Sequence, residues 1–369
     1  MDANKFAIAR LVIGSAMVTV LSACGGGGGN SGPAAIPPGV ALASGYSISV
    51  FAKAPMTTQR PDSIIQAGSS VFVAYQNAGE VKDGSVPGIT NAVVQYDLSG
   101  NVLKTFTVPG HCDGLLVFDS THLWAMANED GNPELTIIDL SVGTQTTYQA
   151  TVNPTAHGGG YDDMQLINGV VYVTASNPST PGAAPTVVSL TLNPNGTTFD
   201  VAPVLAGNAQ AVDITPSVGG SPNPTYMQMV TLNLTDPDSE ATDPSGNLVV
   251  DSQGDGKLVF IHNPGPLQVV SVLSLTLFND KDGPTVFVDD TRFVPPPGPS
   301  GATPYMLFAD DFQTIYRLNG SYVTGAAYSA GQGQIMQLDL KSGHETPVAT
   351  SVGDPNALRD PHGVLFIAL

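Results

Sequence analysis

Cysteine is almost absent from this chain of 369 residues, which contains only Cys24 and Cys112. A framework of structural disulfides is therefore excluded, even for an oxidising compartment. Basic residues are also scarce, since 12 Lys and Arg stand against 31 Asp and Glu and give a formal net charge of −19. Because nucleic acid binding requires cationic surface, this deficit excludes nucleic acid as a partner, and it argues against a basic patch that would hold anionic lipid.

Long amphipathic helical patterns are missing too, and only 12% of the residues are charged. Instead the chain has 41 Gly, 30 Pro and 42% hydrophobic residues, a mixture typical of many short strands joined by turns. Short β-rich runs such as Val71–Tyr75 and Leu248–Val250 recur along the chain, and several of them end in a polar turn such as Asp97–Gly100. The sequence therefore predicts an all-β fold.

The first 23 residues are predicted to be a lipoprotein signal peptide. Lys5 and Arg10 give a basic start, and the apolar run 11–20 is too short to span a bilayer comfortably. Leu21-Ser22-Ala23-Cys24 then resembles the bacterial lipobox, and the resemblance implies that Cys24 is lipidated and becomes the first residue of the mature chain. An ordinary secretory signal with an incidental cysteine is the alternative.

The segment after the cysteine predicts a tethered protein of the bacterial cell envelope. Residues 24–39 are rich in Gly and Pro, cannot pack a core and are predicted to be a flexible tether, while 40–369 are predicted to form a single domain. Gly25, rather than Asp, follows Cys24, which by resemblance to lipoproteins favours the outer membrane. We expect a monomer that reaches the membrane through its lipid and faces the periplasm or the cell surface.

One short phrase recurs along the predicted domain: an acidic residue or His, a small or acidic residue, and then a strand. Its spacing is about 50 residues, with two longer steps of about 75 residues, which is typical of a repeat of four short strands. The phrase begins at Asp62, Asp113, Asp162, Asp238, Asp289 and His362.

Four-stranded repeats of this length predict a β-propeller, because radial closure hides the strand edges that separate sheets would expose. Six blades fit the spacing best, and seven is the alternative. The two long steps predict insertions within Pro203–Leu234 and Tyr316–Gly333. The last blade is predicted to close the ring between the N- and C-terminal strands, from the segments Ile335–Leu338, Pro347–Thr350, Gly363–Ala368 and Tyr46–Phe51.

The stretch Thr242–Phe260 resembles a blade of the NHL-repeat type, with the pattern Asp-x-x-Gly-Asn-Leu-x-Val-x-Asp, a glycine turn and a strand. Pro361–Val364 resembles the start of another such blade. The resemblance covers two blades and implies the superfamily of six-bladed NHL-like and gluconolactonase-like propellers. Members of this superfamily have different functions, so the fold alone does not select one.

The residues before the innermost strands of a propeller lie around one mouth of its central channel. We therefore expect one ring of side chains there, formed by Asp62, Asp113, Asp162, Asp163, Asp238, Asp289, Asp290 and His362, with His111 and His157 on the same rim. Histidines from separate blades with nearby carboxylates suit Zn²⁺, and carboxylates alone suit Ca²⁺. The predicted metal ligands are His111, His157, His362, Asp113 and Asp163. By resemblance to gluconolactonase-like proteins, Asn128 and Glu129 are further candidates at the mouth.

Structural interpretations stand beside these. An Asp before a strand often closes a turn with its own backbone, and Cys112, although it adjoins His111 and Asp113, is predicted to be a buried thiol rather than a nucleophile. Two functions remain: a lipid-anchored platform that binds a small-molecule or protein ligand at the channel mouth, or a metal-dependent lactonase or lyase. The platform is slightly favoured, because the sequence contains no complete catalytic motif.

Overall fold

The computed structural model describes residues 37–55, 60–76, 81–152, 159–176, 182, 184–218, 220–277, 288–311, 313–354 and 357–369. The all-β prediction is confirmed, because one 3₁₀ turn at Gln253–Asp255 is the only helix within these ranges. No helix in the described ranges has the length and apolar character needed to cross a membrane. The predicted signal peptide, Cys24 and most of the predicted tether lie outside the described residues.

Thirty strands make up the described part of the chain. The first half contains β1 (Val40–Leu42), β2 (Ser47–Lys53), β3 (Arg60–Ala67), β4 (Ser70–Gln76), β5 (Thr90–Asp97), β6 (Val102–Pro109), β7 (Cys112–Val117), β8 (His122–Ala127), β9 (Glu134–Asp139), β10 (Gln145–Ala150), β11 (Met164–Ile167), β12 (Val170–Thr174), β13 (Pro185–Leu192), β14 (Thr198–Ala206) and β15 (Gln210–Asp213). The second half contains β16 (Ser217–Val218), β17 (Ser221–Pro222), β18 (Met229–Thr231), β19 (Pro237–Thr242), β20 (Leu248–Ser252), β21 (Lys257–His262), β22 (Val269–Ser274), β23 (Thr276–Leu277), β24 (Thr291–Phe293), β25 (Tyr305–Asp310), β26 (Thr314–Asn319), β27 (Ala327–Gly331), β28 (Gln334–Asp339), β29 (His344–Ser351) and β30 (Pro361–Ile367).

Most of these strands belong to six four-stranded antiparallel groups, here called modules 1 to 6. From the innermost strand outwards they are β3-β4-β5-β6, β7-β8-β9-β10, β11-β12-β13-β14, β19-β20-β21-β22, β24-β27-β28-β29 and β30-β25-β26-β2. The innermost strands contact one another in the order β3, β7, β11, β19, β24, β30 and back to β3. The modules therefore surround a common channel in a propeller-like arrangement.

Burial follows position within a module. The second strands β4 and β20 are buried along almost their whole length, because neighbouring modules cover both of their faces. The outermost strand β6 is exposed along most of its length. Apolar residues from adjoining modules interlock in the space between them, as where Phe72 of module 1 packs in one cluster with Leu123 of module 2.

Additional strands extend the outer edges of the modules. The long step over Pro203–Leu234 supplies β15 to β18, and β15 pairs in parallel with β22 at the edge of module 4. Modules 2 and 3 are joined directly, since β10 pairs in parallel with β14 through Gln149 and Thr198. This pairing explains why the two modules form a single eight-stranded sheet.

Module 6 combines the predicted strands from both ends of the described chain with two strands, β25 and β26, that were not predicted for it. The N-terminal β2 pairs with β26, and the C-terminal β30 pairs with β25, so the two end strands occupy opposite edges of one sheet. The predicted partners Ile335–Leu338 and Pro347–Thr350 belong instead to β28 and β29 of module 5. The second long step, unlike the first, does not contain an insertion at the predicted Tyr316–Gly333. Its extra length comes from β25 and β26, two regular strands of module 6 that precede the last three strands of module 5.

Candidate metal and ligand site at the channel mouth

Four of the six recurring phrases lie at the start of an innermost strand where the strand pairing is irregular. Shifts in register between Pro61 and Ile64 in β3, and between Cys112 and Gly114 in β7, enclose the acidic residues of these phrases. The same irregularity occurs in β19 and in β30. A β-bulge redirects side chains at a strand end, so these four phrases can turn their polar groups towards the channel. The acidic residues of the other two phrases directly precede β11 and β24, which pair regularly.

These phrases form the wall of one pocket at the channel mouth, with about 530 Å³ of space, part of it open to solvent. The predicted residues that line it are Asp62, Asp113, Glu129, Asp162, Asp163, Asp238, Asp289, Asp290 and His362. Gln76, Lys82, Gln253 and Arg292 join them, together with Ser63, Ser239 and Gly363. The pocket is thus built by all six modules and is strongly acidic.

Two carboxylates of the phrases connect neighbouring modules. Asp163 of module 3 accepts a hydrogen bond of 3.0 Å from the backbone amide of Glu240 in module 4. Asp290, which precedes β24 of module 5, accepts one of 2.5 Å from the backbone amide of Val364 in module 6. The second acidic residue of a phrase therefore has a structural function as well as a place in the pocket.

Glycine occupies the second position of the phrase where the next module approaches most closely. A Cβ atom on Gly114 would lie 2.3 Å from the carbonyl oxygen of Asp162, and one on Gly363 would lie 2.4 Å from the carbonyl oxygen of Asp62. Such distances are far below van der Waals contact, so only glycine fits at these two positions.

The Asx turns expected from Asp residues are found on the outside of the modules. Asp97 accepts hydrogen bonds from the backbone amides of Ser99 and Asn101, at 2.8 and 2.9 Å. Asp139, Asp243 and Asp339 close their turns in the same way. The turn interpretation therefore describes the outer aspartates, while the inner aspartates face the channel or the neighbouring module.

Burial and mutual repulsion raise the pKa values of several carboxyl groups in the pocket. Burial raises the pKa of Asp62, Asp162 and Asp238 well above the usual range, and neighbouring carboxylates raise it further. For Asp162 these neighbours include Asp238 and Glu129. A cation at this position would relieve the repulsion that now favours the protonated acids.

His362 forms an ion pair with Asp289 at the pocket wall. Its Nδ1 lies 2.7 Å from Oδ2 of Asp289, and Gln253 donates to the same oxygen at 3.2 Å. Burial opposes the charged imidazole, but the negative charges of Asp289 and Asp62 outweigh it and hold the pKa of His362 well above its usual value. His362 is therefore a hydrogen-bonded side chain, biased towards its charged form, that faces the same pocket as the carboxylates.

Arg292 is the principal cation deep in the pocket. Its guanidinium pairs with Asp290, lies 3.2 Å from Asp163 and donates to the carbonyl of Glu240 at 2.7 Å. It thus touches residues of modules 3, 4 and 5. Burial opposes its charge, but Asp290 and Asp163 more than compensate, and the pKa of Arg292 is raised.

Two groups of side chains place possible metal ligands within 4.8 Å of one another in the described residues. One consists of Glu129, Asp162 and Asp238, and the other of His111, Asp113 and Glu129. The predicted three-histidine site is not formed by the described residues, since His362 belongs to neither group and His157 lies outside the described ranges. His362 is held instead by Asp289.

Asn128 and Glu129, the two further candidates at the mouth, have different surroundings. Asn128 adopts a left-handed backbone conformation with φ of 73°, accepts a hydrogen bond from the amide of His111 at 3.0 Å and donates to the carbonyl of Asn132 at 3.0 Å. Asn128 is not among the described residues that line this pocket. Glu129 lines the pocket and pairs with Lys82.

Cys112 is fully buried, as predicted. Burial and the nearby carboxylates of Asp113 and Asp62 raise the pKa of its thiol well above the usual value. Both observations argue against a nucleophilic role, because the thiolate is the reactive form.

Sequence reasoning missed Gln76, Lys82, Gln253 and Arg292. Of these four, only Arg292 could have been predicted to line the pocket. It is one of few basic residues and lies two positions after Asp290, at the start of an innermost strand. Lys82 lies in a loop rich in Gly and Pro, and nothing in its sequence context indicates that it reaches Glu129.

No family model matches the sequence, and no curated protein matches it. Among solved structures, the chain is similar to virginiamycin B lyase from Staphylococcus aureus, with 11% identity, a TM-score of 0.47 and coverage of 88% of this chain and 96% of that chain. It is similar to regucalcin, a calcium-binding protein from Agrobacterium tumefaciens, with 13% identity, a TM-score of 0.43 and coverage of 83% and 77%. A protein of unknown function from Bacteroides caccae has 11% identity, a TM-score of 0.45 and coverage of 85% and 88%. At such identities and TM-scores the similarities carry no argument about function.

Proposed function

We propose that the chain is a lipid-anchored protein of the bacterial cell envelope whose domain is a six-bladed β-propeller, and that its channel mouth binds a divalent cation together with a small-molecule ligand. The six blades are modules 1 to 6, in the order in which their innermost strands meet. Lipidation at Cys24 and placement at the outer membrane rest on the lipobox alone.

One observation carries the cation site: the oxygen atoms of Glu129, Asp162 and Asp238 that converge within 4.8 Å at the pocket. Three carboxylates from three modules are costly to bring together unless a cation neutralises them. Hard oxygen ligands suit Ca²⁺ better than Zn²⁺, which favours nitrogen and sulfur. The acidic wall would also attract the cation from solution.

We expect that replacing Asp238 by Asn weakens Ca²⁺ binding by at least about 100-fold, because the substitution removes one charged ligand while keeping its shape. Equilibrium dialysis of the full-length chain with radioactive calcium measures the change. Asp97→Asn is the matched control, since the Asp97 carboxylate accepts hydrogen bonds from the backbone amides of its own outer turn. Equal calcium binding by the parent chain and Asp238→Asn, or an equal loss in Asp97→Asn, would refute the site.

The His362–Asp289 pair favours a second function, that of a metal-dependent hydrolase or lyase. An imidazole that is biased towards its charged form, fixed by a carboxylate at 2.7 Å and facing the same pocket, is placed to act as a general acid for a departing oxygen. A cation in the pocket would supply polarisation of a carbonyl group. Lactones and other esters are the substrates that such an arrangement fits.

A screen of lactones and of elimination substrates tests this second function. For any substrate that is turned over, we expect His362→Gln to lower kcat by at least about 100-fold and to leave Ca²⁺ affinity within about threefold. His122→Gln is the control, because His122 lies on the outer surface beside Asp119. Full activity in His362→Gln would exclude the histidine as the acid, and no turnover of any substrate leaves the binding function as the better account.

A further inference from the structure

His111 is held rigidly beside the channel wall. Its side chain is fully buried, and its Nε2 lies 3.3 Å from Oδ1 of Asp113. Its backbone is fixed from both sides by Asn128, whose Oδ1 accepts from the His111 amide at 3.0 Å and whose amide donates to the His111 carbonyl at 2.7 Å. The left-handed conformation of Asn128 makes this double contact possible. An imidazole fixed in this way is preorganised as a ligand.

Beside His111, one carboxylate oxygen of Asp113 has no hydrogen-bond donor among the described residues. Only 6% of this residue is exposed, and its Oδ1 accepts from Gln76 at 3.0 Å and faces His111. Its Oδ2 is buried and accepts no hydrogen bond from any of the described residues. A buried carboxylate oxygen without a partner is costly, and coordination to a cation would remove that cost.

Glu129 connects this pair to the proposed calcium site. Its carboxylate lies within 4.8 Å of the ligand atoms of His111 and Asp113 on one side, and of Asp162 and Asp238 on the other. A carboxylate has two oxygens and can therefore bridge two cations. Asp113 and Glu129 both line the pocket, so a cation can enter from the channel mouth.

We propose that the channel mouth holds a second metal ion on His111, Asp113 and Glu129, with Glu129 shared between this ion and the proposed calcium ion. One nitrogen and two carboxylate donors suit a transition metal such as Zn²⁺, Mn²⁺ or Co²⁺ rather than Ca²⁺. The inference rests on the proposed function, which it deepens from a one-metal to a two-metal site.

Lys82 competes with this second metal ion for the carboxylate of Glu129. Its ammonium pairs with Oε1 of Glu129, and 41% of its side chain is exposed, so it can swing out of the pocket into solvent. A metal that takes both oxygens of Glu129 displaces it. Lys82→Met should therefore tighten metal binding by several-fold, a readout that a purely structural Lys82 would not give.

Cobalt titration of the full-length chain tests the second site, because Co²⁺ gives visible absorption bands in a nitrogen and oxygen environment. With Ca²⁺ present in excess, we expect one equivalent of Co²⁺ to bind. His111→Gln should weaken Co²⁺ binding by at least about 100-fold and keep Ca²⁺ binding, while Asp238→Asn should show the reverse. His122→Gln, which alters an exposed histidine, should change neither.

Unchanged cobalt absorption in His111→Gln, or none in the parent chain while Ca²⁺ still binds, overturns the second site and leaves the calcium site intact. If the parent chain binds neither Co²⁺ nor Ca²⁺, the proposed function is overturned as well. If His111→Gln does not melt like the parent chain, Asp113→Asn replaces it. Loss of Co²⁺ binding in a natively melting Asp113→Asn supports the site, and retention of tight binding overturns it.

Discussion

Replacing Arg292 by Met should lower the free energy of unfolding by about 3 kcal/mol at pH 8. Arg292 neutralises Asp290 and Asp163, and removing one partner of a buried ion pair leaves the other charge uncompensated, at a cost of roughly 3 to 5 kcal/mol. We take the lower end of this range because 25% of the Arg292 side chain is exposed. Urea denaturation at constant pH measures the change.

The loss of stability caused by Arg292→Met should be smaller at low pH, because Asp290 is then protonated. Burial raises the pKa of Asp290 to about 7 despite the opposing charge of Arg292. Because this folded-state pKa lies above the unfolded value of about 3.9, ionisation of Asp290 destabilises the fold as pH rises through about 7. At pH 5 Asp290 is protonated in the parent chain, and in the variant as well because loss of Arg292 raises its pKa further. Its charge then no longer needs Arg292, and the deficit should fall to about half.

Arg317→Met is the matched control, since Arg317 lies over the ring of Tyr305 and donates to Asn319. It should cost no more than about 1 kcal/mol, with no comparable dependence on pH. Adding Asp290→Asn to Arg292→Met should restore part of the stability at pH 8. A deficit that is larger at pH 5 than at pH 8 would contradict this account of Arg292.

Replacing Gly114 by Ala should lower the free energy of unfolding by about 3 kcal/mol or more. The added Cβ would lie 2.3 Å from the carbonyl oxygen of Asp162, and both atoms are bonded directly to the backbones of neighbouring modules. Neither can rotate away as a flexible side chain would, so the modules must separate at the channel mouth. Overpacking of this kind typically costs about 1 to 3 kcal/mol, and a backbone clash exceeds the usual case.

Gly131→Ala separates the steric effect from the intrinsic effect of adding a methyl group. Neither glycine has a positive φ angle, and a Cβ on Gly131 would lie 3.4 Å from its nearest neighbour, the carbonyl oxygen of Asp83. Its effect should stay within about 0.5 kcal/mol. Equal stability of Gly114→Ala and Gly131→Ala in urea denaturation would show that the modules are not packed as closely as described.

Much of the channel mouth follows from residue identity and spacing alone. Asp62, Asp113 and Asp238 recur at one phase of a strand repeat, and the closure of that repeat brings them to one pocket. The bulges that aim them were not predictable, because they depend on pairing with the second strand.

The assignment of strands to modules was harder to predict from the sequence. Apolar alternation marks a strand but not its neighbour, so nothing in β25 or β26 shows that the chain crosses to module 6 and returns to complete module 5. Single contributors such as Lys82 escape detection for a related reason. Each belongs to one module only and has no repeat to reveal it.

The composition of module 6 also sets the order of events during folding. Its four strands come from residues 47–53, 305–310, 314–319 and 361–367, so it is complete only when segments from both ends of the domain have met. Pairings across such long sequence separations carry a large loop-closure entropy and form slowly. Modules 1 to 4, built from consecutive strands, can assemble first. The folding chain therefore exists for a time as an open arc with an unpaired edge, and this is the state in which it is most vulnerable to aggregation and proteolysis.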